Sequence, residues 1–110
     1  MKNHPGIPQK SNIEDTLALK KLVDTFSNLA DVKDVKSQMD LFTDDAEVIS
    51  KTATQTFHNK GKKEIEKSFA DYLALFDIVY HLNGQQTVDI QGDQATGFPI
   101  VLLLLLEMER

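Results

Sequence analysis

The chain has 110 residues, a formal net charge of −5 and no cysteine. That length suits one small domain with a single core and little stability to spare. The acidic balance argues against nucleic-acid and anionic-membrane partners, and the lack of cysteine excludes disulfides and thiolate metal sites.

Residues 1–10, MKNHPGIPQK, combine two prolines and a glycine with no apolar period and read as a flexible lead-in without the apolar centre of a signal peptide. With the missing cysteines, this points to the cytoplasm. Ser11 and Asn12 suit a helix N-cap, and Glu14 and Asp15 suit the positive end of its dipole. Ile13, Leu17, Val23, Phe26, Leu29 and Ala30 then recur at helical steps, predicting a long amphipathic helix over 12–30. Val35, Met39 and Phe42 mark a shorter second helix, with Asp34 as its cap. TDDAEVIS turns into a strand over 46–50, and a weaker strand follows around 54–58. Gly61 punctuates, and Ile65, Phe69, Tyr72, Leu73 and Phe76 restore the helical period over 62–76. A strand over 78–90, a QGDQ turn and a returning strand from 94 complete the order. Helices packed on one side of a mostly antiparallel sheet make the class α+β.

Three strings carry a resemblance. DLFTDDAEV (40–48), NKGKKEIEKSFADYL (59–73) and YHLNGQQTVDIQGDQATG (80–97) occur in the order and at the spacing of the SnoaL-like branch of the nuclear-transport-factor-2-like (NTF2-like) superfamily. The chain resembles that family over about residues 12–97, so 11–110 reads as one domain. The resemblance implies a cone, in which a curved sheet wraps the first helix and leaves an apolar pocket at its open end. It also implies further strands after Gly97, so the C-terminal part of the sheet is expected to be incomplete.

Beyond Gly97 the alternation gives way to FPIVLLLLLEMER. One reading is a native, fully buried strand rich in leucine, although leucine is a modest strand former and Pro99 suits only an edge or a strand start. The other is a slip of reading frame near Gly97. In the shifted frame, Glu107-Met108-Glu109 encodes Asn or Asp followed by Gly, a strong hairpin signal. Either way, an unpaired apolar edge is expected to favour association. The run is too short for a membrane-spanning helix, which needs about 20 apolar residues.

For chemistry, the resemblance singles out His81 and Asp31. In dehydratase-like members, a histidine on this strand is the general base, and imidazole suits proton transfer near neutral pH. Asp31 matches an acid at the end of the first helix and would orient His81 or hold a water. Alternation alone leaves open which face His81 takes: it shares one with Val79 and Asn83, while Tyr80 and Leu82 share the other. Phe26, Phe42, Val48, Phe69, Tyr72 and Leu73 are the expected pocket lining. Ser50 stands where steroid-isomerase members carry their aspartate base, and Phe26 near where they keep a tyrosine, so that reaction is disfavoured. Asp44-Asp45 reads as a solvated turn. His4, His58 and His81 lack a metal-ligand spacing, and KGKKEIEK reads as a solvated face.

The implied function is binding of a small apolar or cyclic molecule, with proton transfer of the dehydratase or isomerase type and neither cofactor nor metal. The alternatives are a non-catalytic domain for ligand binding or dimerisation, or a truncated product without function. A homodimer through the sheet is the expected assembly.

Overall fold

A computed structural model of the protein describes residues 10–107; the expected flexible lead-in, apart from Lys10, lies outside the described residues. The elements are α1 (Lys10–Asp31), α2 (Val35–Met39), β1 (Glu47–Lys51), β2 (Thr56–Lys60), α3 (Gly61–Leu73), β3 (Ile78–Gln91) and β4 (Gln94–Leu106). The α+β class and the element order are those read from the sequence. α1 already includes Ser11 and Asn12, and α3 stops three residues short of Phe76, whose N–H closes a turn onto the Leu73 carbonyl.

α1 ends in a Schellman turn. The Asp34 N–H reaches the Leu29 carbonyl at 2.8 Å and the Lys33 N–H the Ala30 carbonyl at 2.9 Å. That geometry needs a left-handed residue, and Lys33 supplies it at φ 60°. The Asp34 carboxylate then caps α2, accepting from the Ser37 N–H at 3.1 Å and the Ser37 hydroxyl at 2.7 Å. This tight corner fixes α2 against the end of α1.

The sheet is divided among the described residues into two antiparallel ribbons, β1–β2 and β3–β4. Gly92, at φ 62°, takes the first central position of the β3–β4 turn, where a primed hairpin turn requires positive φ. The long β3–β4 ribbon carries the strand face that matters most. Val79 pairs with Leu105, His81 with Leu103 and Asn83 with Val101. The register then slips at a bulge: Asn83 faces Val101, but Gln86 faces Pro99. The extra residue reverses the parity of β3. Before it, Val79, His81 and Asn83 turn inward while Tyr80 and Leu82 are exposed; after it, Gln86, Val88 and Ile90 are the covered positions. An unbroken strand would have put Tyr80, Leu82, Val88 and Ile90 on one face.

The leucine run is strand, as expected, but it is not fully buried. Leu105, opposite Val79, is half-buried, but Leu103, opposite His81, is still 39% exposed, and on the other face Leu102 is 68% exposed with Leu104 and Leu106 exposed beside it. Pro99 is tolerated because β4 is an edge strand, opposite the bulge.

The core is small: Ala30, Val35, Met39, Ile65, Leu73 and Val79, with Phe42, Val48, Phe69, Phe76 and Leu105 packed around it. It joins the C-terminal half of α1 to α2, α3 and the start of β3. Ile13 and Leu17, in the first half of α1, are exposed. The far end of the β3–β4 ribbon extends beyond this core, so the radius of gyration is 16.1 Å, against about 13 Å for a compact chain of this length.

Candidate functional site

α1 runs along the inward face of β3, and two pairs of polar side chains meet between them. At the end of α1, Asp31 Oδ1 lies 2.7 Å from His81 Nδ1 and also accepts the His81 backbone N–H at 2.9 Å. Both side chains are mostly buried, 18% and 14% exposed. An ionised carboxylate only accepts, so Nδ1 carries a proton, and in the neutral ring Nε2 keeps a lone pair. The bulge settles which face His81 takes: it shares the inward one with Val79 and Asn83.

About two helical turns earlier, Asn83 Nδ2 donates to Asp24 Oδ1 at 2.8 Å, and the same oxygen receives Lys20 Nζ at 2.6 Å. The Ser27 hydroxyl meets Asn83 Oδ1 at 3.1 Å. These donors, the Asn83 amide first and the Lys20 ammonium second, hold the Asp24 carboxyl below its ordinary value. Sequence reading missed this pair. The signal available was spacing: Asp24, Ser27 and Asp31 fall at three- and four-residue steps on one helix face, and Asn83 shares its strand face with His81.

Two hollows open beside this row. The smaller, about 120 Å³, is lined by Phe26, Ala30, Gln38, Phe69, Tyr72, Leu73, Val79, His81, Leu103 and Leu105. The larger, about 590 Å³, is lined by Leu22, Val23, Phe26, Ser27, Leu41, Phe42, His81, Pro99, Val101 and Leu103. Phe26, His81 and Leu103 belong to both. Phe26, Phe42 and Phe69 meet edge to face, with centroids 5.8–6.2 Å apart, and form the aromatic wall. Of the expected lining, Phe26, Phe69, Tyr72 and Leu73 face the smaller hollow and Phe42 the larger. Val48 lines neither and packs against the core from β1.

Other candidates lie apart. Ser50 is exposed on β1. His58 Nε2 pairs with Glu47 at 3.2 Å on the exposed β1–β2 ribbon. Asp44 is almost fully exposed, with Lys62 Nζ 3.4 Å away. His4 lies outside the described residues. Among the described residues no group of three or more His, Asp or Glu side chains could hold a metal ion, and no helix is long and apolar enough to cross a membrane.

Comparison with known proteins agrees with this architecture. No curated protein matches the chain significantly. A crystal structure from Novosphingobium aromaticivorans DSM 12444, of a protein named as a candidate scytalone dehydratase, superposes with a TM-score of 0.78 at 19% identity. The match covers 90% of this chain and 65% of that one, so this chain spans about two thirds of its length. At that identity the likeness establishes the NTF2-like fold. The family described as the SnoaL-like domain matches residues 11–105, and the chain therefore belongs to the SnoaL-like domain family.

Proposed function

We propose that the hollow between α1, α3 and the β3–β4 ribbon binds a small apolar or cyclic molecule, and that His81 acts on it as a general base held by Asp31. The observation that carries this reading is the 2.7 Å contact between Asp31 Oδ1 and His81 Nδ1 at the wall of an apolar cavity. Asp31 fixes the tautomer and offsets the charge that His81 gains when Nε2 takes a proton. For a dehydration, Nε2 removes a proton from carbon, the C–H electron pair forms the double bond, and the departing hydroxide leaves as water with that proton. For an isomerisation, the same proton returns to a different carbon. Neither needs a cofactor. The larger volume, about 590 Å³, suits a small organic ligand, and the relative named as a candidate dehydratase supports the reaction class.

Native mass spectrometry of freshly purified protein tests this. One small molecule per chain, released on denaturation, is expected. His81→Gln is expected to retain that mass while losing turnover of it. A chain that holds no small molecule, and binds none from a panel of cyclic ketones and alcohols, overturns the reading.

A second reading, homodimerisation through the sheet, has its own observation. Ile78, Tyr80, Leu82, Leu102, Leu104 and Leu106 are all exposed on the outer face of β3–β4 and form one apolar surface. Pairing two such faces would cover it.

A further inference from the structure

Gln38 is only 1% exposed, yet its Oε1 has no hydrogen-bond partner among the described residues. Its other end is fixed. Nε2 donates to the Phe26 backbone carbonyl at 3.0 Å, and because a carbonyl only accepts, the amide cannot be turned the other way. Gln38 lines the smaller hollow, while Oε1 itself is closed to water-sized contact, so a ligand's donor reaches it only as the side chains around it shift. Leaving a buried acceptor unpaired is unfavourable, and a donor arriving from a ligand relieves it.

The neighbouring polar groups have the same sense. His81 Nδ1–H is taken by Asp31, which in the neutral ring leaves the Nε2 lone pair, and that ring lines both hollows. Beside the larger hollow, which Ser27 lines, the Asp24 carboxylate can only accept, so Asn83 turns its NH2 toward Asp24 and its oxygen toward Ser27. The Ser27 hydroxyl must then donate to Asn83, and its remaining capacity is to accept. Tyr72 is half exposed, and its hydroxyl can serve either way.

We infer that Gln38 is a specificity-determining residue: its side-chain carbonyl receives an N–H or O–H from the ligand, so the site selects small uncharged rings that carry a donor. This rests on the hollow being a binding site. A cavity of about 120 Å³ is close to the size of an engineered apolar cavity, about 150 Å³, that takes up benzene.

Pyrrole and furan are rings of nearly equal size, one with an N–H donor and one without. Titrating each into the protein at pH 8, followed by amide NMR shifts of Val79, His81 and Leu103, compares them directly. Pyrrole is expected to bind roughly tenfold more tightly, the range of one hydrogen bond. Gln38→Met, which keeps length but removes the acceptor, is expected to bring the ratio close to one through weaker pyrrole binding. Equal affinities in the unaltered protein, as when a retained water satisfies Gln38, overturn the inference and leave the binding reading standing. A pyrrole preference that survives in Gln38→Met also overturns it. Binding of neither ring overturns the inference together with the reading beneath it.

Discussion

One oxygen of Asp31 accepts both the ring Nδ1–H of His81, at 2.7 Å, and that residue's own backbone N–H, at 2.9 Å. The carboxylate thus ties the last residue of α1 to β3 and sets the imidazole by the same contact. The two roles separate by substitution. Asp31→Asn keeps an acceptor for the backbone but loses the charge. We expect a folded protein whose His81-dependent turnover falls about a hundredfold or more. Asp31→Ala removes the acceptor altogether and should also cost about 2–3 kcal/mol of stability. Urea unfolding beside a turnover assay reads both.

Asp24 gives the pH dependence. Its carboxyl sits below the ordinary carboxylate value in the folded chain, through Asn83 first and Lys20 second. A depressed folded value stabilises the fold above the ordinary value, and that contribution is lost as pH falls through the lower, folded one. Carboxyl-detected NMR should place the Asp24 midpoint below that of an unstructured aspartate. Asp24→Asn should flatten the acid limb of the stability profile, and an unshifted midpoint would remove the expected link between Asp24 and Asn83.

Lys33 holds a left-handed backbone, φ 60°, at the corner that presents Asp31. The exposed contact of its ammonium with the Phe76 carbonyl is a weak offset. Lys33→Gly should stabilise the protein by about 0.5–1 kcal/mol, seen as a higher denaturation midpoint. A loss of stability would show that the lysine's contact outweighs its backbone strain.

The outer face of β3–β4 should govern association. Sedimentation at rising concentration is expected to show a dimer that Leu102→Lys with Leu104→Lys returns to monomer, while His81 and Asp31 keep their contact behind the sheet. A monomer at all concentrations would refute this surface as an interface.

Much of the architecture was legible because it rests on local signals. The helical steps from Val23 to Ala30, Gly61 at φ 81°, and the Gly92 turn each act through a few neighbouring residues. The Asp31–His81 pairing came from resemblance; no spacing along the chain brings those positions together. The face that His81 takes depends on the bulge between Asn83 and Gln86, which two-residue alternation does not announce. Gln38 escaped notice because a polar residue on a short helix looks solvated. It is buried because the Schellman corner at Lys33 folds α2 back onto α1. The leucine run looked uniform, yet Leu103 and Leu105 take the His81 side of the sheet and Leu102, Leu104 and Leu106 the other, and only Leu105 packs on the core, since strand geometry separates side chains that composition makes identical.

We propose that Asp31 holds His81 in the Nδ1-protonated form at the wall of the hollow. Long-range proton–nitrogen NMR of the imidazole at pH 8 tests it most directly. A protonated Nδ1 and an unprotonated Nε2 are expected, with that preference lost or weakened in Asp31→Ala. A proton on Nε2 in the unaltered protein, with Nδ1 bare, would contradict it.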